Sequence, residues 1–236
     1  MNKPHIRNNL SRALGVAFFL QAFTSLTSGA FLFNPLVDKA NISKTMLNIG
    51  NNPGFVYASI IGDILTALGI ILLATILYTA LKNQSKIMAL VALGFYIFEA
   101  GILAISKFAI FVLLMISQEY IATGDQALEM MANLALETKD FIYRVHIIPF
   151  GFGAILFYYL LYKSNIVPQW LSLWGLITVP FVLVGAGVLA LGIQMPAVFL
   201  ALAVPYLPFE FFAGIYILVR GFNTEAQENV QIGRNG

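Results

Sequence analysis

The fold class is decided by residues 137–176, which read ETKDFIYRVHIIPFGFGAILFYYLLYKSNIVPQWLSLWGL. An apolar stretch of helical length carries Arg144 and His146 near its start and ends at the basic residue Lys163. After a short polar link, two tryptophans begin a second apolar stretch. Long apolar segments with basic and tryptophan residues at their boundaries are typical of membrane-spanning helices. This stretch therefore predicts a multi-pass membrane protein.

The composition of the whole chain agrees with this interpretation. Of the 236 residues, 59% are hydrophobic and 10% are charged, whereas ordinary soluble domains contain about 25% charged residues. The formal net charge is only +2 and no long basic run is present, so nucleic acid is not an expected partner. The chain has no cysteine, which excludes disulfides and thiolate chemistry.

Six stretches are apolar and long enough to cross the hydrocarbon core of a bilayer, which takes about 20 helical residues. They cover residues 12–33, 54–81, 87–117, 139–162, 170–193 and 197–219. We therefore expect an all-α bundle of six transmembrane helices, forming one domain over residues 1–222. The polar segment over residues 223–236 is expected to be a disordered cytoplasmic tail.

The distribution of cations predicts the orientation of these spans. One side of the membrane would hold eight of them, namely Lys3, Arg7, Arg12, Lys82, Lys86, Lys163, Arg220 and Arg234. The other side would hold Lys39, Lys44 and Lys139 among six carboxylates. Because cytoplasmic segments are enriched in Lys and Arg, both termini are expected in the cytoplasm.

The long linker before the fourth span has a helical pattern of its own. Leu128, Met131 and Ala135 lie on one face of the predicted helix, and Glu129 and Asn133 lie on the other. This spacing predicts either a short amphipathic helix at the outer surface or a continuation of the fourth span.

Six acidic, basic or histidine residues fall within the predicted spans and more than two residues from either end: Asp63, Glu99, Lys107, Arg144, His146 and Glu210. A charge at the centre of a lipid-exposed helix costs at least about 2.5 kcal/mol, so such side chains normally face the bundle interior and find partners. At about 1.5 Å per residue, Glu99 and Glu210 lie roughly 18–19 Å from one end of their spans, near the midplane. The other four lie closer to the outer surface.

These depths predict an outer polar layer. In this layer Asp63 would pair with Arg144 or Lys107, and His146 would lie nearby. Arg144 is also a candidate anchor for an anionic group of a ligand. Charged residues that meet inside a membrane often mark a binding site or a proton relay, but buried ion pairs are also often purely structural.

A second, deeper layer would contain Glu99 and Glu210 as candidate proton or cation sites, with Gln21 from the first span. Tyr206 shares a helix face with Glu210 because the two are four residues apart. The prolines at positions 205 and 208 predict an irregular turn just before Glu210. The backbone carbonyl groups freed by this turn would either bind a substrate or result from an ordinary proline kink without a functional role.

The residues leave three functions open. The first, which we favour, is binding of a small polar ligand or ion in the polar core, with proton-coupled transport as its extension. The second is a non-catalytic accessory or scaffold protein with structural ion pairs. The third is an intramembrane enzyme with an outward-facing site. No metal or cofactor is expected, because the sequence has two histidines, no phosphate-binding glycine loop and no recognisable ligand spacing.

Three segments together resemble one protein family: GFYIFEAGI (94–102), FYYLLYKSNIVPQWLSLWGLI (157–177) and FEFFAGIYILVRGFN (209–223). Their order and spacing are similar to those of a family of six-span membrane proteins, catalogued as a domain of unknown function and common in Gram-positive bacteria. The resemblance covers residues 12–223 and implies six helices in a bacterial cytoplasmic membrane. It implies no activity. The family motifs include Glu99, Asp140, Trp170, Trp174 and Glu210.

The tryptophans and several glycines also have local explanations. Trp170 and Trp174 are expected in the interfacial belt of the membrane. Small residues allow helices to approach closely in lipid, and this role is expected for Gly151, Gly153, Gly185, Gly187 and Gly192.

Overall fold

The computed structural model describes the backbone of residues 3–223 and, within them, the side chains of residues 9–199 and 201–223. Apart from Asn223, the tail expected over residues 223–236 lies outside the described residues. Eight α-helices follow one another: α1 (Lys3–Leu26), α2 (Ile42–Asn51), α3 (Pro53–Leu81), α4 (Lys86–Thr123), α5 (Ala127–Ser164), α6 (Gln169–Ala190), α7 (Ala197–Ala203) and α8 (Tyr206–Arg220). A π-helical segment (Thr27–Phe33) and a 3₁₀ turn (Asn34–Leu36) extend α1.

Six segments of the described chain are long and apolar enough to cross a membrane. They are Asn9–Leu36, Pro53–Leu81, Lys86–Thr123, Ala127–Ser164, Gln169–Ala190 and Ala197–Arg220. The prediction of an all-α membrane protein with six spans is therefore confirmed. Many large apolar side chains point away from the protein, including Phe108 at 72% exposure and Ile87 at 77%. Such a surface is suited to lipid rather than to water.

The helices α4 and α5 form an antiparallel hairpin that is longer than a bilayer is thick. Each has 38 residues and is therefore about 57 Å long, against a hydrocarbon core of about 30 Å. The amphipathic segment predicted before the fourth span is the first part of α5, which continues without a break to Ser164. Gly124 separates the two helices and has a φ of 70°, a left-handed conformation that glycine adopts without strain.

The short helix α2 packs against the end of this hairpin that lies opposite the chain termini, which we call the distal end. Met46 and Ile49 of α2 are fully buried there against residues of α4 and α5. The side chain of Asn41 accepts a hydrogen bond from the backbone N–H of Lys44 and caps α2. The distal end therefore has an apolar core of its own.

The first and last spans are in direct backbone contact. A Cβ atom added to Gly15 of α1 would lie 2.5 Å from the backbone nitrogen of Leu218. A Cβ atom added to Gly214 of α8 would lie 2.9 Å from the backbone nitrogen of Phe19. Only glycine fits at these two positions, and the contact brings the middle of α1 next to the C-terminal half of α8.

The glycines expected to allow close helix approach fall into two groups. An added Cβ atom at Gly151 would meet Leu183 at 2.7 Å, and one at Gly153 would meet Tyr96 at 2.6 Å. Gly185 and Gly187 have no such neighbour within 4 Å, and Gly192 has a φ of 74° in the turn after α6. The expectation was wrong for these last three, because glycine content alone does not indicate which helix face is packed.

Candidate functional site

Two groups of buried or half-buried polar side chains lie inside the bundle. The ion-pair layer consists of Ser28, Asp63 and Lys107. The carboxyl layer consists of Gln21, Tyr96, Glu99, Tyr158, Tyr206 and Glu210. On α4, Lys107 lies eight residues closer to the distal end than Glu99, which corresponds to about 12 Å along the helix.

In the ion-pair layer, both oxygens of Asp63 have partners. Lys107 Nζ donates to Oδ2 and Ser28 Oγ donates to Oδ1. The side chains of Lys107 and Asp63 are only 7% and 11% exposed. A buried carboxylate that receives a cation and a hydroxyl donor is well compensated, so this layer is closed and satisfied.

The π-helical segment of the first span positions Ser28 in this layer. A π-helix has a wider turn than an α-helix and shifts the side chains that follow it around the helix axis. Ser28 faces Gly62 of α3, where an added Cβ atom would lie 3.0 Å from the Ser28 Cβ atom. One turn deeper, Thr66 Oγ1 donates to Thr24 Oγ1 at 2.7 Å. The contact between α1 and α3 is therefore polar along this stretch.

Of the two cations proposed for Asp63, Lys107 makes the pair and Arg144 does not. Arg144 Nη1 donates to the carbonyl oxygen of Leu189 in the last turn of α6, at 3.1 Å. His146 is buried, contacts the carbonyl oxygen of Tyr143 in its own helix and interacts electrostatically with Lys107. Arg144 therefore lies outside the ion-pair layer, whereas His146 lies beside it.

The carboxyl layer brings Glu99 and Glu210 into electrostatic contact. Tyr206 Oη donates to Glu210 Oε1 at 2.9 Å, and Gln21 also makes a side-chain contact with the Glu210 carboxyl group. Glu99 is 4% exposed, and its Oε2 atom has no hydrogen-bond partner. Glu99 and Glu210, which were predicted to lie at the same depth, therefore interact in the structure, and the Glu99 carboxyl group is incompletely paired.

Neither glutamate of the carboxyl layer forms an ion pair within the described residues. The ion pairs found there join Lys44 to Asp38, Lys107 to Asp63 and Lys139 to Asp140. The carboxyl layer therefore differs from the ion-pair layer in having acidic groups without a matching cation.

Two tyrosines of the carboxyl layer are absent from the residues selected by sequence. The hydroxyl groups of Tyr158 and Tyr206 are 2.7 Å apart, and Tyr96 interacts with the side chain of Tyr158. Tyr96 and Tyr158 are 2% and 1% exposed. Tyr96 precedes Glu99 by three residues and so shares its helix face, a signal that could have identified it. Nothing comparable marks Tyr158.

The break in the sixth span lies beside the carboxyl layer. Val204 and Pro205 separate α7 from α8, as the prolines predicted. Trp174 Nε1 donates to the carbonyl oxygen of Pro205 at 3.2 Å, so this carbonyl is engaged by the protein itself. Trp174 also packs against Phe209, with ring centroids 5.7 Å apart, which is a contact that an interfacial position alone did not predict.

Comparison with known proteins and protein families identifies the family of the chain. No curated protein and no solved structure matches the chain. Residues 13–221 match a family model described as a domain of unknown function, DUF4386. The match covers both polar layers and all six spans except the first residues of the first one. The chain therefore belongs to the DUF4386 family and is a multi-pass membrane protein of that family.

Proposed function

We propose that the carboxyl layer binds a proton or a small cation at Glu99 and Glu210, and that the protein couples this binding to transport of a small polar solute. We place it in the bacterial cytoplasmic membrane, with the distal end outside the cell and both termini in the cytoplasm. This orientation is supported by the distribution of cations predicted from the sequence, with eight on the side of the termini and three on the distal side.

The observation that carries the proposal is the unpartnered oxygen of Glu99. Its Oε2 atom is buried and has no hydrogen-bond partner, and Glu210 lies close enough to interact with it. Two carboxylates in a medium of low dielectric repel each other and lose their hydration. The pair is therefore stable only when a proton or a cation compensates its charge.

Tyrosine hydroxyls supply hydrogen-bond donors to this pair. A hydroxyl group both donates and accepts hydrogen bonds, and the groups of Tyr158, Tyr206 and Glu210 form a continuous chain with distances of 2.7 and 2.9 Å. Because Tyr206 donates to Glu210 Oε1, this chain stabilises the ionised Glu210 carboxylate once its proton has left.

The break before α8 gives the site a means of movement. Tyr206 is the first residue of α8, directly after the break at Val204 and Pro205. Broken helices beside a buried polar site recur in transporters, where the half-helices move with the bound ion. Because Glu210 lies on α8 close to this break, a change in its charge would act directly on the position of α8.

The test is a pH titration of the purified protein in lipid nanodiscs, followed by infrared difference spectroscopy of protonated carboxyl groups. Wild-type protein should show a titrating band that is weakened in both Glu99→Gln and Glu210→Gln. Glu119→Gln is the matched control, because Glu119 is exposed on the distal part of α4. In proteoliposomes that contain a pH-sensitive dye, the two core variants should also reduce proton uptake after a pH jump.

The second candidate is an accessory or scaffold protein with structural ion pairs, and the complete pairing of Asp63 favours it. It predicts that neither core variant alters the infrared band or the proton uptake, and that both change only the melting temperature. That result would overturn the proposed proton or cation site.

A further inference from the structure

We propose that the distal part of the bundle holds a phospholipid between α5 and α6, with an acyl chain in an apolar groove and the phosphate group on Arg144. This site is separate from the carboxyl layer and does not depend on the function proposed for it.

The groove has a volume of about 540 Å³ and a hydrophobic lining, within the range of about 300–1,000 Å³ found for small-molecule sites. Phe141, Val145 and Ile148 line it from α5. Their spacing of four and three residues places them on one helix face. Val184, Gly187 and Leu191 line it from α6. In a membrane such a groove is filled by hydrocarbon, because water would leave its lining unsolvated.

Arg144 lies at the edge of this groove. It is next to Val145 in sequence, and its Nη1 atom bonds the carbonyl oxygen of Leu189 at 3.1 Å. Leu189 is the residue between Val188 and Ala190, both of which line the groove. The guanidinium group therefore bridges the two helices at the groove.

Arg144 has donors left for a ligand. A guanidinium group carries five N–H donors in a planar fork that suits phosphate, and the hydrogen bond from Arg144 to Leu189 uses one of them. No ion pair of Arg144 occurs among the described residues, and the nearby carboxylate of Asp140 is bound to Lys139 at 2.7 Å. The positive charge of half-buried Arg144, next to an apolar groove, therefore complements the negative charge of a lipid phosphate group.

The bond to Leu189 alone is a structural role, since a cation stabilises the last turn of a helix. That structural role explains the use of one N–H donor of Arg144, but it does not explain the presence of the adjacent apolar groove. A phospholipid accounts for both, because its phosphate meets the cation while its acyl chain fills the adjacent apolar space.

The experiment is native mass spectrometry of the full chain, released from micelles that contain phosphatidylglycerol, the diacylglycerol with the same acyl chains, or inorganic phosphate without lipid. We expect wild-type protein to retain phosphatidylglycerol. Arg144→Gln should reduce its affinity about tenfold, which is typical for loss of a charge-assisted contact. Diacylglycerol should bind more weakly to wild-type protein and should not respond to this change. Inorganic phosphate should not be retained.

A second variant tests the groove without touching the charge. Gly187→Leu should reduce phosphatidylglycerol binding by filling the groove, and it should leave the fold intact, because no atom lies within 4 Å of an added Cβ atom. Gly101→Leu is the matched control, since Gly101 is equally unobstructed on α4. Arg220→Gln is the control for loss of an exposed arginine.

Three results would overturn the proposal. The first is equal loss of lipid in Arg144→Gln and Arg220→Gln, which would indicate a non-specific charge effect. The second is unchanged lipid binding in Gly187→Leu, which would exclude the groove. The third is retention of inorganic phosphate at the same level as phosphatidylglycerol, which would make Arg144 a site for a soluble anion.

Discussion

The ion-pair layer and the carboxyl layer both contain carboxyl groups inside the bundle but differ in how these groups are paired. In the first, Asp63 receives a cation and a hydroxyl donor, and both of its oxygens are engaged. In the second, Tyr206 and Gln21 contact Glu210, whereas Glu99 Oε2 is unpartnered. The free energy of a buried pair depends on complete compensation. The first layer is therefore suited to hold the helices together, and the second to change its charge.

The largest effect is expected when the ion-pair layer is broken. Lys107→Met leaves the Asp63 carboxylate buried without its cation and should lower the free energy of unfolding by about 3–5 kcal/mol. Denaturation in mixed micelles measures this change. The exposed Lys86→Met is the control and should change little. The double variant Asp63→Asn with Lys107→Met should recover most of the loss, and failure to recover it would show that Lys107 acts through packing rather than through charge.

An intermediate effect is expected for the hydroxyl of Tyr206, which links the carboxyl layer internally. Tyr206→Phe removes the bonds to Tyr158 and Glu210 and should cost about 1–3 kcal/mol of the free energy of unfolding. Tyr57→Phe, at an exposed position, is the matched control. Equal stability of the two variants would mean that the hydroxyl chain contributes nothing to the fold.

A smaller effect is expected for Glu99, in spite of its deep burial. Glu99→Gln removes a group that can carry charge and leaves a side chain of the same shape, so the free energy of unfolding should change by less than about 1 kcal/mol. The same denaturation experiment measures it. A loss as large as that of Lys107→Met would contradict the comparison, because it would mean that the Glu99 carboxyl group is fully paired in the folded protein.

The smallest effect concerns an ion pair of the same chemistry outside the spans. The hydrogen bond from Lys44, with help from the backbone N–H of Ala40, lowers the pKa of Asp38 below its usual value. A carboxyl group with a lowered pKa stabilises the fold above its usual pKa, and this contribution is lost as the pH falls through the lowered value. Both side chains are partly exposed, so solvent screens the pair.

Lys44→Met should therefore raise the pKa of Asp38 toward its usual value without a measurable change in melting temperature. Nuclear magnetic resonance titration of the Asp38 carboxyl group measures the pKa, and Lys39→Met is the control for loss of a neighbouring exposed cation. A melting temperature that falls as far as in Lys107→Met would remove the distinction between exposed and buried pairs.

Hydropathy and depth predicted the parts of this molecule that depend on position along a helix axis. The six spans follow from long apolar stretches, and the common depth of Glu99 and Glu210 follows from the rise per residue. The rotation of each helix around its own axis decides which side chains face one another. Helix packing sets this rotation, and neither hydropathy nor depth along the helix contains information about it. The sequence therefore left Lys107 and Arg144 as equal candidates for Asp63, and only the structure distinguishes them.

Two further residues were missed for related physical reasons. Ser28 reaches Asp63 through a π-helical segment, and a change of helical period cannot be read from an apolar stretch. Tyr158 carries no charge, and a tyrosine in a span is as compatible with a lipid-facing interface as with the interior. Its role depends on Tyr206, which lies 48 residues later in the chain.

The glycine contact between α1 and α8 has a consequence for biosynthesis. Gly15 and Gly214 are separated by about 200 residues, and a chain emerges from the ribosome with its N-terminal part first. Gln21 therefore enters the bilayer long before Glu210 exists to receive it. A nascent chain that has not yet inserted its sixth span therefore has no closed carboxyl layer, and its interior is sealed only when that span enters the bilayer.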